Sequence, residues 1–102
     1  MGRVVSSRPV MRLLDVLGRR WALRVIWELR DGPLTSRRLR AACDDVSPSA
    51  LQARLDELRA AGLVTLEAGE GYRLSVLGEE LLVAFAPLYR FADRWAASVA
   101  GD

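Results

Sequence analysis

The sequence predicts a mainly α-helical chain carrying one small β-hairpin. Three observations lead there. Apolar residues recur at helical spacing in several stretches, and Pro9, Thr35, Ser47 and Ser75 stand where helices begin. Gly18, the "DGP" run at 31–33 and Gly62 stand where helices stop. Between Gly62 and Ser75 the pattern changes to two short β-prone runs separated by a Gly-rich turn.

Taken in order, Pro9 suits the first turn of a helix, and Val10, Leu13, Leu14 and Leu17 follow at helical spacing until Gly18. A second helix is expected from about Arg20 to Arg30. Ala22, Val25, Ile26 and Leu29 lie on one side and Leu23 and Trp27 on another, as in a helix buried between neighbours. Thr35 caps a short third helix with Leu39, Ala42 and Cys43 inward, and "CDDV" is a turn. Ser47 caps a fourth, with Pro48 at its first position and Leu51, Leu55 and Leu58 forming a narrow inward stripe. "LVTL" and "YRL" are strands around "EAGEG". From Ser75 a last helical stretch extends to about Val99, with Glu79 and Glu80 near its positive end, and Pro87 should kink or divide it. This order of elements is a winged helix–turn–helix with a helical extension.

The totals bound the function. With 102 residues the chain makes one domain, expected to span 1–102. Its DNA-binding core is expected at about 19–76, flanked by dimerisation helices at about 8–18 and 76–99. No apolar run approaches the roughly 18 to 20 residues of a membrane helix. "MGRVVSSRPV" lacks the apolar segment of a secretory leader, so a cytoplasmic protein is expected. The single cysteine, Cys43, cannot form an intrachain disulfide, and the absence of His removes the commonest general base. No catalytic or metal-ligating constellation is visible, and neither enzyme activity nor a cofactor is expected. All 15 basic residues are Arg, whose planar fork suits phosphate. Between Arg19 and Arg40 seven arginines stand against two acids, a local net of +5. From 41 to 72 six acids stand against two arginines, a net of −4.

With these elements in place, "RPVMRLLDVLGRRWALRVIWELRDGPLTSRRLR", "VSPSALQARLDELRAAGLV" and "YRLSVLGEEL" make the chain resemble the HxlR-type bacterial transcriptional regulators. Pro9, Gly18, Trp21, Gly32, Pro33, Ser47, Leu51, Leu55, Leu58, Gly62, Leu63, Val64, Tyr72, Leu74 and Gly78 stand at matching places over roughly residues 8–82. The resemblance implies a dimeric DNA-binding regulator, with repression as the commoner mode. It also implies that a redox-sensing member would carry a Cys just before the Pro of the first helix, where this chain has Arg8. The "EAGEG" wing is shorter and more acidic than the family's usual one, and Phe91 stands where a Trp is common.

The candidate site residues follow from helix geometry. With the leucine stripe inward, Ser49, Ala53 and Asp56 fall on the opposite side of the fourth helix and Gln52 on a flank. Small residues permit close approach to base edges, and Gln pairs with adenine through two hydrogen bonds. Asp56 would repel phosphate, or accept from a cytosine amino group. Ser47 and Ser49 suit phosphates at a helix N-terminus. Ser36, Arg37 and Arg38 on the third helix and Arg20 before the second are placed to approach the backbone of double-stranded DNA, with Arg73 the one base near the wing. The expected operator is an inverted repeat. Excess apolar surface assigns Val10, Leu13, Leu14, Phe85, Leu88, Tyr89, Phe91 and Trp95 to a homodimer interface. Cys43 reads as buried and unreactive, although Arg40 is near enough in sequence to activate an exposed thiol. Two other readings stay open: a protein–protein module that uses the fourth helix, and a regulator holding a flat hydrophobic ligand between its aromatics.

Overall fold

A computed structural model of the chain describes residues 8–100. The N-terminal stretch read for a leader lies, up to residue 7, outside the described residues. The elements are α1 (Pro9–Leu17), α2 (Ala22–Glu28), α3 (Ser36–Ala42), α4 (Pro48–Ala60), β1 (Val64–Glu67), β2 (Gly71–Leu74) and α5 (Val76–Ala100). β1 and β2 pair antiparallel with Val64 opposite Leu74 and Glu67 opposite Gly71. The fold is a winged helix with helices added at both ends.

The predicted caps form. Thr35 Oγ1 accepts from the Arg38 amide at 3.2 Å, and Ser47 Oγ from the Ala50 amide at 3.2 Å. Ser75 Oγ accepts from the Gly78 amide at 2.9 Å and donates to the Gly62 carbonyl at 2.6 Å, so it also ties α5 to the end of α4. At that end the Gly62 amide bonds Arg59 O and the Leu63 amide bonds Leu58 O, both at 2.9 Å. This paired closure needs the left-handed φ of +80° that Gly62 adopts. Gly78 answers a different need. A Cβ there would collide with the Leu63 carbonyl, so only glycine lets α5 start against the strand.

One buried cluster holds these pieces together. Val25, Ile26 and Leu29 of α2 and its cap, Leu39 and Cys43, and Leu51, Leu55 and Leu58 of α4 are all at most 2% exposed. Val64, Tyr72 and Leu74 cover it from the hairpin, and Leu17 and Leu81 from the outer helices.

Three boundaries differ from expectation. α2 begins at Ala22 rather than Arg20, because Trp21 takes a left-handed φ of 77° and acts as the cap. Such a conformation costs an L-residue roughly 1–2 kcal/mol, which the side chain offsets here by packing against the core. α2 also ends at Glu28, one turn before the "DGP" stop. α5 remains one helix through Pro87 rather than dividing there. Periodicity also missed a short third strand contact: Leu34 exchanges two backbone hydrogen bonds with Tyr72, at 2.9 and 2.8 Å. The wing is thereby anchored to the turn before α3.

Candidate nucleic-acid interface

The leucine stripe decides what α4 shows to solvent. With Leu51, Leu55 and Leu58 locked in the core, Ser49, Gln52 and Asp56 are exposed and Ala53 is half-buried beside them. Ser47 is exposed just ahead of the helix, its hydroxyl oxygen engaged with the Ala50 amide. Gln52 is not idle. Its Nε2 donates to Asp56 Oδ1 at 2.9 Å and lies 3.5 Å from the Tyr72 hydroxyl. Pairing with adenine through two bonds would require the amide to leave Asp56.

The turn between α3 and α4 is built by strain and by arginine. Asp44 and Asp45 both take left-handed φ, 57° and 58°. Arg40 Nε donates to the Val46 carbonyl at 2.8 Å, closing the turn from one side. Arg24, reaching from α2, donates to the Ala42 carbonyl at 2.7 Å, to Glu28 at 2.8 Å and to Asp44 at 3.3 Å. The hydrogen bond to Glu28, aided by Asp44, raises the Arg24 pKa further. Two arginines in the basic segment are therefore structural. Ser36, Arg37 and Arg38 are exposed at the start of α3, and Arg38 also lines a shallow groove with Asp31 and Pro33. Arg20 is exposed and lies over the Trp21 ring at 5.7 Å.

The wing carries more compensated charge than expected. Arg73 pairs with Glu67 across the hairpin at 3.2 Å. It is also not the one base nearby, since Arg59 lines a groove with Asp56, Val64, Thr65 and Leu66 between α4 and β1. The sequence hint for Arg59 was its place three residues after Asp56 on the outward side of α4.

Cys43 is fully buried, and burial pushes its thiol pKa up. The arginine that opposes this shift is Arg24, not Arg40. A separate apolar cavity of about 520 Å³ lies where α1, the end of α4 and α5 meet, with Leu13, Val16, Leu63, Leu77 and Leu81 among its lining and Arg12 and Glu80 as polar members. Among the described residues no group of three acidic, His or Cys side chains is arranged for a metal, and no helix is long and apolar enough to cross a membrane.

The terminal helices divide the predicted interface residues in two. Leu13 and Phe85 pack on the core of their own chain. So does Tyr89: its ring lies 4.5 Å from that of Trp27, centroid to centroid, and its hydroxyl donates to the Leu23 carbonyl at 3.0 Å. Burial raises the Tyr89 pKa. Val10, Leu14, Leu88, Phe91 and Trp95 remain exposed.

The sequence profile of HxlR-like helix-turn-helix proteins matches residues 16–100. The chain belongs to the HxlR family. Among solved structures, quinone-bound YodB from B. subtilis is 28% identical, with a TM-score of 0.76 over 85% of this chain and 99% of that one. A possible HxlR family transcriptional factor from Thermoplasma volcanium GSS1 shares the fold at 22% identity, with a TM-score of 0.78 over 94% and 95% of the two chains. A MarR family regulator from Porphyromonas gingivalis W83 does so at 21% identity, with a TM-score of 0.78 over 90% and 96%. No curated protein matches. This HxlR chain therefore has the fold of transcriptional regulators, and its relatives are regulators rather than enzymes.

Proposed function

We propose that this HxlR protein is a dimeric, sequence-specific DNA-binding regulator acting in the cytoplasm, and a repressor in mode. It inserts α4 into the major groove of an inverted-repeat operator. The observation that carries this reading is the outward side of α4, where exposed Ser49, Gln52 and Asp56 flank the half-buried Ala53 in a small, polar surface. Ser47 and Ser49 face phosphate at its N-terminal end, where unpaired amides favour anions. Ser36, Arg37, Arg38 and Arg20 contact the backbone, and Gln52, Ala53 and Asp56 meet base edges. Arg73 contributes less, because Glu67 already neutralises it. Half-sites separated by about one helical turn, 10 to 11 base pairs or a multiple, fit a two-fold dimer. The test is a gel shift against DNA upstream of the chain's own coding region. A mobility change that competitor DNA of unrelated sequence cannot reverse supports specific binding; no shift at low salt sinks it.

Removing one phosphate contact has a defined signature. Arg37→Ala should weaken binding to every sequence alike, and the plot of log affinity against log salt should flatten by about one unit. Equal slopes for parent and variant would remove Arg37 from the interface.

A second reading concerns control. The quinone-bound state of the B. subtilis relative and the apolar cavity beside α1 favour a small hydrophobic effector. Any such effector acts here without the first-helix thiol, since Arg8 occupies that place and Cys43 is buried with a raised pKa. A mild thiol oxidant should leave DNA binding unchanged in both the parent and Cys43→Ser. Loss of binding in the parent alone would make Cys43 the switch.

A further inference from the structure

We propose that Asp56 sets the base preference of α4 by holding the Gln52 amide by its nitrogen, so that the pair presents hydrogen-bond acceptors only and reads a cytosine amino group. The inference rests on the DNA-reading role proposed above for this helix.

The orientation of the amide follows from chemistry. A carboxylate accepts and does not donate, so the Gln52 atom 2.9 Å from Asp56 Oδ1 is the NH2 group and not the carbonyl. The same nitrogen faces the Tyr72 hydroxyl at 3.5 Å, and Tyr72 is buried and fixed by its two backbone bonds to Leu34. Both sides of the NH2 group are thus directed at the protein. What remains for a ligand is Gln52 Oε1 and the second Asp56 oxygen, both acceptors on the exposed side of the helix.

In the major groove only adenine and cytosine offer an amino group. Guanine shows O6 and N7, and thymine shows O4 and a methyl, so an acceptor-only surface finds no partner on either. Adenine and cytosine are then separated by charge. Adenine N7 is a lone pair beside the amino group and would face the Asp56 carboxylate, whereas cytosine carries a C–H at that place. The expected order is cytosine first, adenine second, guanine and thymine last. Gln52 alone would choose otherwise, because a free amide donates to N7 and accepts from N6 of adenine.

Selection from a randomised duplex DNA library by the full-length protein tests this, using the parent, Gln52→Ala, Asp56→Ala and Asp56→Asn. The position whose preference disappears in Gln52→Ala should be cytosine in the parent, by about tenfold or more over guanine or thymine. Asp56→Ala frees the amide and should turn the same position to adenine. Asp56→Asn keeps an acceptor for the Gln52 nitrogen but loses the charge. It should retain an amino-bearing base while binding all duplexes more tightly than the parent. A parent preference for guanine, thymine or adenine at that position overturns the proposal. So does an Asp56→Ala variant that still selects cytosine, or a Gln52→Ala variant that changes no position. A parent that enriches no sequence overturns it together with the DNA-reading role of α4, which separates the two failures.

Discussion

Replacing Phe91 and Trp95 together by Glu should yield a monomer that has lost about 10²- to 10⁴-fold in operator affinity, the advantage of two linked half-site contacts. Phe91 is 52% exposed and Trp95 58% exposed, and Leu88 and Val99 continue the same side of α5 at spacings of three and four. From residue 91 onward every position of this helix is exposed. A helical end with nothing packed on it is marginal in water. Large aromatics left open on such an end bury 150–250 Å² each, by rough measure, when a partner covers them. The molecule is accordingly extended, with a radius of gyration of 15.1 Å against about 13 Å for a compact domain of this length. Light scattering should show a dimeric parent and a monomeric variant, with the winged core of the variant still folded by near-ultraviolet dichroism. A monomeric parent, or a variant that stays dimeric, would end the proposed assembly.

Leu55→Ala should remove about 2–5 kcal/mol of stability, a large share of the roughly 5–15 kcal/mol available to a domain. Leu55 is fully buried in α4, the helix that packs on both α2 and β1, and its neighbours in the stripe, Leu51 and Leu58, are 2% and 1% exposed. The cavity left by alanine cannot refill from a helix that Schellman-type closure and Ser75 hold at its far end. Ser49→Ala, on the solvent side of the same helix, should change stability by less than about 0.5 kcal/mol. Urea unfolding followed by intrinsic fluorescence measures both. A Leu55→Ala loss below about 1 kcal/mol would mean that α4 is not seated as described.

The parts of this fold that were legible in the sequence are those governed by local rules. Thr35, Ser47 and Ser75 announce helix starts because a side-chain oxygen satisfies an amide within three residues, and Gly62 announces a stop because its φ is positive. The inward leucines of α4 followed from period alone. What stayed hidden depends on partners distant in the chain. Trp21 looked like a helix residue, since nothing local marks a left-handed tryptophan. Leu34 gave no strand signal because its partner is Tyr72, and Tyr89 looked like interface because period cannot say which apolar side of α5 meets Trp27. In the candidate site, the exposure of Ser49, Gln52 and Asp56 could be read from spacing, but the engagement of the Gln52 amide could not. Nor could the neutralisation of Arg73 or the use of Arg24 and Arg40 to brace a turn.

The long final helix has a mechanical meaning in the proposed dimer. Its first turns are clamped to the winged core through Gly78, Leu81 and Tyr89, while its far end is free to be gripped by a partner. Twenty-five residues make a rod of about 37 Å. A tilt of about 5° at the clamp therefore swings one end by about 3 Å relative to the other, close to the rise of a single base pair. In that dimer α5 would serve as a lever arm whose angle sets the reach between the two α4 helices. Small changes at its clamp, such as a molecule wedged in the neighbouring cavity at Leu77 and Leu81, would be amplified into a mismatch with the spacing of the half-sites.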